Sequence, residues 1–129
     1  MKERLEKLLN NSSSPYYNYK VAAIIECNDG KLFEGVNVET SSPAAGICAE
    51  RNALYNAITN GYTKADFKVI HLMSASKEEI YPCFVCRQAL YDYMNLDTKV
   101  ICYSDMGEVI VSLADLCTYG FGENDLQQH

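Results

Sequence analysis

Three cysteines in two short motifs constrain this chain more than any other feature. Cys48 stands two residues before Glu50, and Cys83 and Cys86 form a Pro-Cys-x-x-Cys pair further along the chain. Cysteines at i and i+3 in the first turn of a helix share one face, so both can bind a single zinc ion. Cys48 begins another predicted helix, and helix N-termini favour thiolates. A chain that uses all three sulfurs for one ion must bring these two helix starts together.

The hydrophobic pattern predicts helices and strands in the order α-β-β-α-β-α-β-β-α. Asp29-Gly30 indicates the tight turn of a β-hairpin, and Asn60-Gly61 closes a helix. The predicted helices are 2–10, one from Cys48 to Asn60, one from about Cys83 to Met94, and a short final helix that includes Cys117. The predicted strands are Lys20–Cys27, Lys31–Val38, Phe67–Ser74, Lys99–Ser104 and Glu108–Val111. This order predicts an α/β fold, a mixed five-stranded sheet flanked by helices.

Size, charge and hydropathy exclude several classes of function. The 129 residues suffice for one domain spanning 1–129. The net charge is −6 and the 11 basic residues are scattered, which disfavours a nucleic-acid partner. No apolar run approaches the roughly 20 residues of a membrane helix, and the charged stretch from Met1 to Pro15 does not contain the apolar region of a signal peptide. We therefore expect a cytoplasmic protein without a membrane partner, whose six cysteines are reduced.

Three cysteine ligands leave a fourth zinc position for water, which is typical of catalytic rather than structural zinc. A Cys-x-x-Cys pair alone also fits a redox pair or half of a structural site. Glu50 alone also fits an acid stabilised by a helix N-terminus. The combination Cys-x-Glu followed by Pro-Cys-x-x-Cys is more specific, because zinc deaminases of nucleobases carry a related signature. Its first ligand is His or Cys, and its glutamate carries protons and does not bind the metal.

The chain resembles the small homotetrameric cytidine deaminases from about Pro15 to Leu126. The closest stretches are Gly35–Glu39, Cys48–Arg51, Pro82–Gln88 and Phe121–Leu126. The resemblance implies a three-layer α/β/α fold, one Zn²⁺ per chain and a homotetramer. It also implies hydrolytic deamination of cytidine or 2′-deoxycytidine to uridine or 2′-deoxyuridine plus ammonia, in pyrimidine salvage.

The resemblance assigns roles around the metal. Cys48, Cys83 and Cys86 are the implied ligands, and Glu50 is the implied catalytic residue. Three thiolates give Zn²⁺ a net charge of −1, which opposes ionisation of water, so a positive group should offset it. Arg51 is the candidate, as a hydrogen-bond donor to the sulfurs, and its alternative is a solvent-facing helix arginine. Gln88 is expected to hold the same network, with a plain surface position as its alternative.

Five further positions match substrate contacts of that family. Asn37 and Glu39 lie at i and i+2, so their side chains face one way, and they match residues that bind sugar hydroxyls. A carboxylate there disfavours a 5′-phosphate, which favours a nucleoside substrate. Tyr19 and Phe121 match aromatics about the base, Phe121 from a neighbouring subunit, and Ala49 matches a backbone contact. The alternatives are a solvated sheet face for the polar pair and packing for the aromatics.

Two other functions stay open, and the first follows from positions at which the sequence departs from the family pattern. The departures from the family pattern are Tyr19, Ala22, Pro43, Tyr81, Phe84-Val85 and Thr118. Several lie near the expected base and sugar, so a blasticidin-type or N4-substituted pyrimidine nucleoside is an alternative substrate, although antibiotic deaminases lack an acid at the position of Glu39. A zinc-stabilised binding domain without turnover is the other, and it requires Cys27, Cys102 or Cys117 as fourth ligand. We expect these three thiols to be buried instead.

Overall fold

Five strands form one mixed sheet in the computed structural model, which describes residues 1–76 and 78–126. The strand order is β2-β1-β3-β4-β5, with β3 and β4 parallel and the other neighbours antiparallel. The strands are β1 Val21–Cys27, β2 Leu32–Val36, β3 Phe67–Ser74, β4 Lys99–Ser104 and β5 Gly107–Ser112. The predicted mixed five-stranded sheet is confirmed; β2 ends earlier than expected, so that Asn37 and Glu39 lie just beyond it.

Helices cover both faces of the sheet. They are α1 Lys2–Leu9, α2 Ala49–Thr59, α3 Phe84–Tyr93, α4 Leu113–Leu116 and α5 Glu123–Leu126, with 3₁₀ turns at Pro43–Ala45 and Lys64–Asp66. The sequence pattern did not predict α5, and Cys117 caps the C-terminus of α4 rather than lying inside it. No helix in the described ranges is long and apolar enough to cross a membrane.

Alternate residues of β1 belong to two separate cores. Ala23 and Ile25 pack into the larger cluster, which includes Leu54 of α2 and Leu90 of α3. Residues 22 and 24 point the other way and pack with Leu5 of α1. Since strand side chains alternate between faces, this pattern places α1 on one side of the sheet and α2 and α3 on the other. The result is the expected three-layer α/β/α arrangement.

Gly35 fixes the position of α2 on the sheet. A Cβ atom at residue 35 would lie 2.4 Å from the carbonyl oxygen of Ala49 and 2.4 Å from the amide nitrogen of Ala53. Only glycine allows the backbones of β2 and α2 to approach this closely. The start of α2, which carries Cys48 and Glu50, is therefore held directly against β2.

Candidate active site

The structure brings the three motif cysteines into one cluster at two helix starts. Cys48 is the N-cap of α2 and Cys83 is the N-cap of α3, where its sulfur accepts a hydrogen bond from the backbone N–H of Cys86 at 3.5 Å. The Sγ atoms of Cys48, Cys83 and Cys86 all lie within 4.8 Å of one another. The parallel pairing of β3 with β4 requires α3 as a crossover, and this crossover delivers the pair to Cys48.

The cluster fits a zinc ion. A Zn–S bond of about 2.3 Å in a tetrahedral site places two sulfurs roughly 3.8 Å apart, and the Sγ atoms of Cys48 and Cys83 are 3.7 Å apart. Within the described ranges, no other His, Cys, Asp or Glu joins this group. Cys27 and Cys102 are buried, as expected, whereas Cys117 is only half-buried and its thiol lies 3.7 Å from the carbonyl oxygen of Arg87. The fourth ligand of a closed structural site is therefore absent among the described residues.

The thiols of the cluster change one another's acidity. A hydrogen bond with Cys86, together with Arg51 and Cys83, lowers the pKa of Cys48 to about 5, although burial opposes this. The same bond to Cys48, together with burial, raises the pKa of Cys86. Cys48 is therefore the thiol of this pair that ionises more readily, and thiolates are the form of cysteine that binds a metal.

Arg51 points at the sulfurs rather than at solvent. Its Nη2 atom lies 3.7 Å from the Sγ atom of Cys48. Burial alone would lower the pKa of Arg51, but hydrogen bonds to Cys48 and Cys86 raise it instead. Its Nε atom is buried and has no hydrogen-bond partner in the described part of the chain. The guanidinium is therefore a fixed positive charge beside the cluster.

Glu50 is buried next to the same cysteines. It is the second residue of α2, its exposed fraction is 4%, and it lines a cavity of about 400 Å³ together with Cys48 and Cys83. Burial is the main cause that raises the pKa of Glu50 to about 7, and Cys48 adds to it. The Glu50 carboxyl group therefore faces any ligand that binds in this cavity.

The cavity collects most of the predicted substrate residues. Tyr19, Asn37 and Ala49 line the 400 Å³ cavity beside Glu50. Asn37 and Cys48 also line a second cavity of about 250 Å³, together with Glu39 and Pro43. Pro43 is one of the departures from the family pattern. The two cavities share Asn37 and Cys48 as lining residues, so the predicted sugar residues and the metal ligands lie around neighbouring spaces.

Glu79 and Tyr81 were not predicted as site residues, although both line the 400 Å³ cavity. The Tyr81 hydroxyl donates to Oε1 of Glu79, and this bond is the main cause that raises the pKa of Tyr81 to about 12. The only sign of these two residues in the sequence was that Tyr81 departs from the family pattern. Both residues lie between β3 and α3, where no periodicity shows which way side chains point.

Gln88 and Phe121 lie away from the cysteine cluster. Gln88 Nε2 donates to Asp92 Oδ2 at 3.2 Å and to the Phe121 carbonyl oxygen at 2.7 Å, and no bond to Arg51 is present among the described residues. The expectation that Gln88 holds the Arg51 network does not agree with these contacts. Gln88 and Cys86 lie two residues apart on α3, so their side chains point roughly 200° apart, and Cys86 is the one that faces the cluster. The Phe121 side chain is 57% exposed and does not line either cavity of its own chain.

Phe84 also lies outside the site. Its ring is 78% exposed and stacks on the Arg87 guanidinium at 4.3 Å. Phe84 therefore lines neither the 400 Å³ nor the 250 Å³ cavity of its own chain.

The chain is similar to known proteins over most of its length. Residues 1–104 match the family described as "Cytidine and deoxycytidylate deaminase zinc-binding region". The chain is 32% identical to the cytidine deaminase of Mycoplasma genitalium over 120 residues, 92% of this chain and 91% of that protein. It is 30% identical to the cytidine deaminase of Halalkalibacterium halodurans over 113 residues, 87% and 84% of the two proteins.

A solved structure matches the fold equally well. The crystal structure of cytidine deaminase from Burkholderia pseudomallei superposes with a TM-score of 0.87 at 32% identity, over 92% of this chain and 94% of that one. The three-cysteine cluster, the buried glutamate and these similarities agree. The chain belongs to the zinc-binding cytidine and deoxycytidylate deaminase family.

Proposed function

We propose that this chain catalyses the zinc-dependent hydrolytic deamination of cytidine and 2′-deoxycytidine to the uridine products and ammonia, as a step of pyrimidine salvage. The observation that carries the proposal is the buried Glu50 carboxyl group beside the three-cysteine cluster, in a cavity of about 400 Å³. The names of the relatives from Mycoplasma genitalium and Halalkalibacterium halodurans support cytidine as the substrate.

The proton chemistry falls to Glu50. Cys48, Cys83 and Cys86 would hold the zinc ion, which would supply the Lewis acidity that makes water nucleophilic near neutral pH. The Glu50 carboxylate would carry one proton of the attacking water to N3 of the base as the C4–O bond forms. It would then carry the second proton, from the hydroxyl left on C4, to the amine that departs as ammonia when the C4–N bond breaks. One water molecule is consumed for each ammonia released, so no further co-reactant is needed. Because Glu50 is buried, bulk water does not compete for these protons.

The cavity walls suit a pyrimidine nucleoside. Tyr19 and the backbone of Ala49 border the space beside Glu50 and are proposed to contact the base. Asn37 and Glu39 are proposed to bind the sugar. The Glu39 carboxylate would repel a nearby 5′-phosphate, so we infer that the substrate is a nucleoside rather than a nucleotide.

We also propose that the 129-residue chain is a single domain that works as a homotetramer in the cytoplasm. Exposed aromatic side chains at Phe84 and Tyr119 border one groove along α3, and the exposed Phe121 follows directly. Such a surface suits contact with another copy, which would let Phe121 reach a neighbouring cavity. All six cysteines are free, which fits a reducing compartment. Light scattering on the purified protein tests the tetramer.

The decisive experiment follows the absorbance change from cytidine to uridine and measures zinc per chain. We expect turnover by the wild-type protein, none with cytidine 5′-monophosphate, and at least a thousandfold loss in Glu50→Gln with zinc retained. Glu108→Gln is the matched control, because Glu108 is an exposed acid on β5. Stoichiometric zinc without turnover in the wild type would favour a binding domain, and full activity of Glu50→Gln would refute the proton carrier.

A further inference from the structure

We propose that Ser12 and Ser14 are positioning residues, which hold Asn37 and Glu39 so that the pair offers one donor and one acceptor to a single sugar hydroxyl. The inference rests on the proposed function, because it concerns the substrate of the same site. Neither serine lies in the motifs that identify the family.

The main chain brings the two serines to the pair. Ser13 and Val38 form a parallel β-bridge, in which the Ser13 N–H donates to the Asn37 carbonyl at 3.1 Å and the Glu39 N–H donates to the Ser13 carbonyl at 2.8 Å. Side chains alternate along an extended segment, so Ser12 and Ser14 share one side and Ser13 faces the other. Ser12 and Ser14 are buried, whereas Ser13 is exposed.

The amide of Asn37 is fixed in one orientation. Its Oδ1 atom accepts from the Ser12 hydroxyl and from the Val21 N–H, the latter at 2.9 Å. Its Nδ2 atom donates to the Tyr19 carbonyl at 2.7 Å. A flipped amide would place its NH₂ against the Val21 N–H and its oxygen against the Tyr19 carbonyl. Both lone pairs of Oδ1 are therefore used, and Asn37 retains one N–H with no partner among the described residues.

The carboxylate of Glu39 is nearly filled as well. Its Oε2 atom accepts from the Ser14 hydroxyl, and its Oε1 atom accepts from the N–H groups of Tyr16 and Tyr17 at 2.9 and 3.0 Å. The Ser14 oxygen itself accepts from the Tyr19 N–H at 2.8 Å, and its hydroxyl lies closer to Glu39 than to its other possible acceptor, the Tyr19 carbonyl at 3.2 Å. A carboxylate has about four acceptor positions, so one remains.

Ionisation of Glu39 is consistent with this arrangement. Partial desolvation would raise the pKa of Glu39, but the bonds from Ser14 and from the Tyr17 and Tyr16 N–H groups outweigh it and lower the pKa. The group is thus an acceptor and offers no proton of its own.

One remaining donor and one remaining acceptor match one hydroxyl group. A sugar hydroxyl donates its proton to Glu39 and accepts the remaining N–H of Asn37, and both residues line the same 250 Å³ cavity. A vicinal diol would need a further acceptor that the pair does not have. Removing Ser12 frees Oδ1 of Asn37, and removing Ser14 frees Oε2 of Glu39, so either change loosens the geometry for that one hydroxyl.

The experiment compares kcat and KM for cytidine, 2′-deoxycytidine and 3′-deoxycytidine. With the wild type, we expect only one of the two deoxy substrates to lose efficiency, because only one hydroxyl is bound. Ser12→Ala and Ser14→Ala should each lower kcat/KM by about tenfold for substrates that carry this hydroxyl, mainly through KM, and by less than about twofold for the substrate that lacks it. Ser13→Ala is the matched control, because its side chain is exposed and alanine keeps its main-chain bonds.

The substrate ratio keeps the test valid for a partly unfolded variant, since the folded fraction cancels between two substrates measured on one preparation. If Ser14→Ala yields no active protein, Ser12→Ala alone tests the positioning role. Ser14→Thr retains the hydroxyl and should keep the wild-type ratio of kcat/KM between the substrates. Equal losses on all three substrates in both alanine variants would overturn the positioning role. Equal losses on both deoxy substrates with the wild type would overturn the single-hydroxyl assignment. Absence of any cytidine turnover would instead refute the proposed function, and this inference with it.

Discussion

The Nη2 atom of Arg51 lies 3.7 Å from the Sγ atom of Cys48, three residues earlier in the same helix. The contact places a permanent positive charge at a cluster whose three thiolates exceed the charge of a divalent zinc by one. Hydrogen bonds from a guanidinium reduce the electron donation of sulfur and offset that excess. Arg51 therefore links the electrostatics of the metal site to the first turn of α2.

The first prediction concerns Arg51. Arg51→Gln should lower kcat/KM for cytidine roughly 10–100-fold and weaken zinc retention, because it removes a positive partner of the ligands. Arg51→Lys should recover part of the rate and part of the zinc retention, since lysine keeps the positive charge but lacks the planar N–H donors of the guanidinium. Chelator competition and the absorbance assay measure the two effects. Arg4→Gln is the control, because Arg4 forms only an exposed ion pair with Glu34. Unchanged zinc retention and rate in Arg51→Gln would contradict the assigned role.

The second prediction concerns metal removal. Chelation of the wild type should abolish turnover, and added Zn²⁺ should restore it, because a three-thiolate cluster has no other source of Lewis acidity. Cys83→Ser should bind less than one zinc per chain, since a hydroxyl is a poor zinc ligand. Cys117→Ser should retain both zinc and activity, because its thiol lies at the C-cap of α4 and outside the cluster. Loss of zinc in Cys117→Ser would place a fourth ligand in the site.

The metal site was predictable because its information is local. Each ligand lies at the start of a helix, and loop residues such as Pro82 together with the helical spacing of apolar residues mark these starts in the sequence. The Cys-x-Glu and Pro-Cys-x-x-Cys spacings specify the chemistry. β3 and β4 were predicted with the bounds that the structure gives, Phe67–Ser74 and Lys99–Ser104, because long apolar runs carry a strong signal.

The surroundings of the substrate were less predictable, because they depend on pairings between distant segments. Nothing in the sequence signals that Ser12 and Ser14 meet Asn37 and Glu39, since one β-bridge sets that register. The hydrogen-bond partners of Gln88 differ from the prediction for a related reason. The partner of its amide is a backbone carbonyl in the C-terminal segment, and a carbonyl leaves no trace in residue type.

The third prediction concerns Gly35. Gly35→Ala should destabilise the fold by about 3 kcal/mol or more, because the new Cβ would collide with backbone atoms of Ala49 and Ala53, which cannot rotate away. Residual folded protein should also lose activity, since α2 must shift and carries Cys48 and Glu50. Urea denaturation measures the first effect and specific activity per folded molecule the second. Gly30→Ala is the control: nothing lies within 4 Å of its Cβ, so only the cost of its positive φ remains. Equal stability losses in the two variants would contradict the close-packing argument.

The last prediction concerns acid stability and the face of the sheet opposite the metal. Glu26 accepts a hydrogen bond from Nε2 of His71 at 3.0 Å and lies 3.5 Å from Nζ of Lys68, and the bond from His71 is the main cause that lowers the Glu26 pKa below 4.5. Nδ1 of His71 in turn pairs with the Tyr103 hydroxyl at 2.8 Å. The folded state then binds fewer protons here than the unfolded state, so the contribution is present above the unfolded pKa and disappears as pH falls through the folded pKa.

We therefore expect Glu26→Gln to be less stable than wild type by about 1 kcal/mol at pH 7, and this difference to shrink below about pH 4.5. Urea unfolding at pH 7, 5, 4 and 3 measures the two free energies of unfolding. Glu108→Gln should show no such convergence, because it alters an exposed acid on β5. A difference between wild type and Glu26→Gln that stays constant over this range would mean that the bond to His71 contributes equally when the carboxyl is protonated, and would refute the ionic account of this network.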